Sequence, residues 1–238
     1  MLPFASWPVG AILWEAVIVG TLLLGTWSVV RIGWPNRPLV AFAVILAAMS
    51  VLDGVMQGVA LGNVNIASAG ALGFVWARAR RIAPATGVLA VIKVFPLALA
   101  APLGGRVFVR AAAIAGMICL ITLPLVGVAA WSDYIAGLQA SQPLCGDPNW
   151  VNLSLACNLS PFVGVFVAKW AGLAIAAVLV VLAVRAGPTF LGTTLATGAV
   201  LAPATELHAH YFAIVFVLIV IGLANLNLLA SSHRGSSW

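Results

Sequence analysis

GVLAVIKVFPLALAAPL, residues 87–103, is apolar from end to end except for Lys93, and Pro96 stands three positions after that lysine. A charge in hydrocarbon is costly, and a proline interrupts the hydrogen-bond ladder that satisfies a helix backbone there. Basic clusters flank the stretch: RARR at 78–81 and GGRVFVR at 104–110. Both flanks belong on the cytoplasmic side by the positive-inside rule, and one straight span between them would leave a cluster on the wrong face. Residues 82–103 are too few for two crossings at about 20 residues each. The stretch therefore reads as a re-entrant helical hairpin with residues 93–96 at its elbow. Irregular backbone at that depth is tolerated where it is buried in protein or lines a cavity, so the charge and the break belong together. The bland alternative is a single kinked span whose lysine snorkels.

The rest of the chain is membrane sequence. Of its 238 residues 63% are hydrophobic and 7% charged, with a mean hydropathy of +1.16. That charge cannot cover a soluble domain. The first apolar run lacks the basic start and small-residue cleavage site of a signal peptide. The net charge of +6 comes largely from Arg31, Arg37, Arg78, Arg80, Arg81, Arg106, Arg110, Arg185 and Arg234 in short loops, which is topology and not nucleic-acid binding. Spans are expected to begin near residues 9, 39, 107, 162, 189 and 211, with a short one near 66 that starts within the preceding loop. The expected fold is an all-α, polytopic integral membrane protein with about six spans plus the re-entrant hairpin. It forms a single transmembrane domain over 1–238, with 131–160 as an external loop. No internal repeat is visible.

The arginine topology places four polar clusters on the outer side: GNVN (62–65), WSDY (131–134), NWVNLS (149–154) and TELHAH (205–210). Their conjunction points to an outward-facing site more strongly than any one of them. Asn63 is equally well a helix cap or, with Asn65, a hydrogen-bond partner for sugar hydroxyls or a phosphate. Asp133 with Trp131 and Tyr134 reads as an interfacial anchor. Glu206 and His210 are four apart and share a helix face, whereas His208 and His210 share one only in a strand. One such cluster is too small for a metal site, so acid–base work or a phosphate contact is the better reading. Cys145 and Cys157, twelve positions apart in the external segment, form a possible disulfide in an oxidising compartment. Cys119 falls inside a span as a small apolar residue.

Taken in order, LGNVNIASAGALGF, GVLAVIKVFPLALAAPL, WSDYIAGL, NWVNLSLA and LAPATELHAHYF resemble glycosyltransferase family 87. These are polytopic enzymes of the GT-C type, similar to bacterial polyprenyl-phosphate-mannose-dependent mannosyltransferases. The resemblance runs from about residue 61 to residue 212, and MLPFASWPVGAILWEAV also looks like the segment that follows the family's first periplasmic loop. It implies transfer of a hexose, mannose by this likeness, from a polyprenyl-phosphate donor to an envelope glycolipid or polysaccharide acceptor. The implied place is the outer face of the cytoplasmic membrane, with no cofactor and no metal. Lys93 would meet the phosphate leaving group, and Asn63, Asn65 and Asn152 match the family's amide positions. The family's first span and acidic loop lie before the point at which this sequence begins, so the resemblance assigns no catalytic base. The candidates within the sequence are Glu206, His208 and His210, with Glu206 standing where the family has tryptophan. A truncated or non-catalytic family member and a lipid or solute transporter remain alternatives, since broken mid-membrane helices also mark transporters.

Overall fold

The computed structural model describes residues 7–61, 63–77, 86–93, 95–140, 154–204 and 211–235. Ten α-helices and one 3₁₀ helix account for nearly all of them, with no strand among the described residues. They are α1 (Trp7–Gly33), α2 (Pro38–Ser50), α3 (Asp53–Ala60), α4 (Val64–Trp76), α5 (Thr86–Ile92), the 3₁₀ helix (Phe95–Leu103), α6 (Gly105–Ala140), α7 (Leu155–Val163), α8 (Val165–Ala186), α9 (Phe190–Leu201) and α10 (Phe212–Gly235). Val9–Gly33, Gly105–Gly137, Val165–Ala186 and Phe212–Ser232 are long and apolar enough to cross a membrane. The pair α2 and α3, bent by 80°, would make a fifth span. The chain is thus an all-α, multi-pass membrane protein. Two of the expected spans, α4 and α9, have only 13 and 12 residues. At 1.5 Å per residue they reach about 20 Å, short of the roughly 30 Å of a hydrocarbon core.

The centre of the bundle is α4. All of its 13 residues except Phe74 are buried, and it packs on α1, α10, α9, α5 and the 3₁₀ helix. Its small side chains allow this. A Cβ at Gly70 would lie 2.1 Å from the Thr21 carbonyl oxygen, and one at Gly73 would lie 2.5 Å from that of Gly25. The two backbones are therefore in direct contact, as small residues permit between membrane helices. The contacts advance together along both chains, so α1 and α4 run parallel. The stripe Ile18, Leu22, Gly25, Val29 and Gly33 is the buried face of α1, following the 3.6-residue period.

Contacts at the far end of α4 fix the relative levels of the other elements. Val75 clusters with Leu103 of the 3₁₀ helix and Val107 of α6. Gly33 meets Ala224 of α10, whose Gly222 meets Phe190 of α9. This end carries Arg31, Arg37, Arg106, Arg110 and Arg185. α8 and α9 are antiparallel neighbours: a Cβ at Gly192 would meet Gly187 and Ala183, and one at Gly172 would meet Ala202.

The stretch 86–103 is broken at Lys93, between α5 and the 3₁₀ helix, and it folds back. α5 packs on both the 3₁₀ helix and α6, and a Cβ at Gly87 would strike the Ala111 carbonyl oxygen. The lengths close the hairpin. Seven residues of α5 rise about 10 Å, and nine residues of 3₁₀ helix return about 18 Å. The excess of roughly 8 Å matches the six residues of α6 between Gly105 and Ala111, about 9 Å. Gly104, with φ of 100°, makes the turn into α6.

At the other end of the bundle helices break instead of ending. α6 contains Gly127 at φ 85°, ψ 155°, and Gly164 at φ 79°, ψ 154° separates α7 from α8. This region is open essentially to glycine alone. The segment 131–160, expected to be external and part helix and part loop, is helical where described: α6 runs through residues 131–140 and α7 starts at Leu155.

Gly70→Ala sets a methyl against a carbonyl that cannot move without parting the helices, and we expect a loss of about 1–3 kcal/mol, as for overpacked cores. Nothing lies within 4 Å of a Cβ at Gly116, so the same change there gains roughly 0.5–1 kcal/mol of helix propensity. Thermal unfolding of both variants in lipid nanodiscs is expected to shift in opposite directions.

Candidate functional site

The N-terminus of α4 holds the first two candidates. Asn63 is the N-cap, and its Oδ1 accepts from the Asn65 backbone N–H at 3.0 Å. Its carbonyl is thus committed to the helix start, which is the ordinary use of an Asn there. Asn65 is different. Its side chain is 1% exposed, and its Nδ2 has no hydrogen-bond partner. A buried amide nitrogen without an acceptor costs about 1–3 kcal/mol, so its retention asks for a reason outside folding.

Lys93 sits in the break of the hairpin, half-buried. Its Nζ donates to the Tyr211 Oη at 3.3 Å and stands 5.0 Å from the centroid of the same ring. Tyr211 is buried at the start of α10. The ring face attracts the ammonium and the hydroxyl accepts from it, so one residue fixes the charge twice. The lysine is thus tied to a tyrosine 118 positions away in the chain.

Lys93 and Asn65 lie at one level. From the Val75–Leu103 contact, α4 climbs ten residues to Asn65, about 15 Å, and the 3₁₀ helix climbs eight to Phe95, about 16 Å. Tyr211 joins them through Lys93. His210 directly precedes Tyr211 in the chain, but Glu206, His208 and His210 lie outside the described residues, as do Asn152 and Cys145. What is described is that the chain on either side of 205–210, at Ala204 and Tyr211, is buried in the main core. Cys157 is disulfide-bonded and Cys119 carries a free thiol. Asp133 is exposed on the far part of α6. Among the described residues no three His, Cys, Asp or Glu side chains gather as a metal site would require. A cavity of about 430 Å³ lies in the crook of the Gly127 kink, and the described residues that line it, Leu123, Trp131 and Ile135 among others, all belong to α6.

Tyr211, Lys169 and Glu15 escape a reading based on loops. Lys93 and Lys169 are the only lysines among the chain's 11 basic residues. Lys169 is one turn before Gly172, which packs on Ala202 and Pro203. Glu15 lies within α1, and its Oε2 is buried with no hydrogen-bond partner. The signal that finds both is an ionisable residue inside an apolar run.

With this arrangement in view, the family can be stated. The chain belongs to glycosyltransferase family 87, whose model matches residues 1–231. No curated protein sequence and no solved structure gives a significant match. Membership makes it a membrane glycosyltransferase, a class that needs a sugar donor and an acceptor.

Asn65→Leu removes the orphaned amide and keeps the volume. The unfolding midpoint is expected to rise, by the equivalent of about 1–3 kcal/mol, and an unchanged or lowered midpoint would show that the amide is satisfied after all.

Proposed function

We propose that the protein transfers a hexose, mannose in the first instance, from a polyprenyl-phosphate donor to an envelope glycolipid or polysaccharide acceptor. The reaction takes place on the outer face of the cytoplasmic membrane. One observation carries this reading: a lysine held at the elbow of a broken helix, level with an unsatisfied amide, at the end of the bundle opposite the arginines. Family membership supplies the reaction class, and the likeness to the mannosyltransferases supplies the donor.

The chemistry asks for what this layer offers. When the bond between the sugar and the phosphate breaks, negative charge grows on the leaving phosphate. A preorganised cation in a place of low dielectric lowers that barrier strongly. Lys93 is such a cation, and Tyr211 holds it in place. Asn65, and Asn152 with it, would donate to sugar hydroxyls or phosphate oxygens. The opposite, arginine-rich end would face the cytoplasm, so the lipid-linked sugar would meet its acceptor on the outer side. His208, His210 and Glu206 precede Tyr211 closely enough in sequence to belong to the same site.

Membranes containing the full chain are expected to move labelled mannose from polyprenyl-phosphate mannose into lipid-extractable or polymeric product. Lys93→Met is expected to lower kcat/KM by about 100-fold or more, while Tyr211→Phe, which keeps the ring and loses the hydroxyl, falls between that variant and wild type. Transfer that is indifferent to Lys93 would overturn the site assignment, and no transfer from any polyprenyl-phosphate hexose would overturn the donor assignment.

A further inference from the structure

The arginines at one end of the bundle do not all read as topology. Arg31 and Arg185 stand in the last turns of α1 and α8, where a cation complements the helix dipole. Arg106 and Arg110 stand at the start of α6, where the dipole opposes them and the first turn holds no acidic residue. They are four positions apart and share one face, with Cβ atoms about 5–6 Å from each other. Both are exposed, and neither guanidinium has a hydrogen-bond or ion-pair partner among the described residues. The other face of α6 is the packed one: Val107 meets Val75 and Leu103, Phe108 meets the main core, and Ala111 meets Gly87. Beyond the pair the arginine face continues as Ala113, Met117 and Leu120, all exposed, which is a stripe that faces lipid.

α6 is apolar enough to cross the membrane from Gly105 onward. Arg110 is five residues in, about 8 Å along the axis. A charge there snorkels back to the headgroups, and helical side chains already lean toward the N-terminus. Its guanidinium therefore approaches that of Arg106, and two cations converge at the membrane surface. No carboxylate pairs with them. Of the five acids in the chain, Glu15, Asp53 and Asp133 lie toward the other end of the bundle, and the sequence places Asp147 and Glu206 on the outer side. We infer that Arg106 and Arg110 hold the phosphodiester of an anionic phospholipid, in the leaflet at the arginine end, cytoplasmic by the positive-inside rule. A guanidinium grips phosphate with a two-pronged fork, and the acyl chains follow Ala113, Met117 and Leu120. The apolar stripe and the snorkelling depth select a lipid over a free anion. A zwitterionic lipid carries its own cation beside the phosphate and gains less from the pair. The site is separate from the Lys93 layer, since α5 starts beside Ala111 and climbs six residues, about 9 Å, to reach Lys93. It stands whether or not the chain transfers sugar.

Two measurements on the full chain test this. In the first, native mass spectrometry from detergent follows the first lipid bound as phosphatidylglycerol or phosphatidylcholine with the same chains is added. Each basic residue near an anionic headgroup contributes about fivefold in affinity, so phosphatidylglycerol is expected to bind about 25-fold more tightly. Arg106→Gln with Arg110→Gln is expected to remove that preference. Arg31→Gln with Arg185→Gln takes the same charge from the same end and is expected to keep it. Equal binding of the two lipids by wild type, or equal loss in both double variants, would overturn the inference. Displacement of the bound lipid by its chain-free headgroup, glycerophosphoglycerol, at equal concentration would show an anion site without lipid, and would overturn it too. The second measurement needs no variant. Phenylglyoxal modifies exposed guanidinium groups, and peptide mass spectrometry locates the adducts. In phosphatidylglycerol nanodiscs Arg106 and Arg110 are expected to react several-fold more slowly than in phosphatidylcholine nanodiscs, with Arg31 and Arg185 little changed. Slowing of all four alike, or of none, would mean a diffuse lipid layer and no site.

Discussion

Two backbones touch at the centre of this protein, and the remainder is arranged around that contact. Gly25 of α1 meets Gly70 and Gly73 of α4 with no side chain between them. In a membrane there is little hydrophobic gain in bringing helices together, because lipid is as apolar as leucine. Close van der Waals contact has to supply the attraction, and only glycine allows backbones so near. Once α1 and α4 are locked in parallel, α4 is sealed on almost every side, by α10, α9, α5 and the 3₁₀ helix. Depths along the bundle then become fixed quantities. That is why residues far apart in sequence, Asn65, Lys93 and Tyr211, can be assigned to one layer.

The layer is expensive in folding terms and informative for that reason. An amide nitrogen is buried without a partner, and an ammonium is held in the middle of an apolar stretch by one tyrosine. None of this helps the chain to fold, since burying polar groups without full compensation is destabilising. Stability given up at a particular depth, on three elements at once, marks where binding is expected to recover it. Nearer the arginine end the Thr26 hydroxyl is buried without a partner as well, so the layer is marked by the ammonium and the amide together and not by an orphaned atom alone.

Much of this was readable in the chain itself, though unevenly. The break at residues 93–96 was legible because lysine and proline are conspicuous in an apolar run, and the hairpin followed from charges on both flanks. The core position of α4 was not, because hydropathy does not separate a helix buried in protein from one facing lipid. Only the small residues of VNIASAGALG hinted at close packing. The short reach of α4 and α9 was hidden by apolar flanks that read as continuations of each span. Asn63 had a cap and a contact as equal readings, and the structure gives its carbonyl to the cap. Glu15 is one acid in an apolar run, and only the fold shows that its Oε2 is buried; the role of Tyr211 appears only when α10 meets the elbow. The histidines of TELHAH and Asn152 remain where the sequence alone put them.

Gly127 and Gly164 have one more consequence. From Gly105 to Gly127 α6 covers about 33 Å at 1.5 Å per residue, and the 22 residues of α8 after Gly164 cover about 33 Å as well. Two stretches of the chain, one ending and one beginning at a glycine break, thus run for the same length, close to the hydrocarbon thickness of a bilayer. Beyond each break the chain turns aside instead of continuing along the axis. The pair acts as a gauge of membrane thickness written in two glycines. A bilayer a few ångströms thinner would have to tilt both helices or stretch to meet them, at a fraction of a kcal/mol for each ångström of roughly that mismatch, and the layer that carries the chemistry would tilt with them.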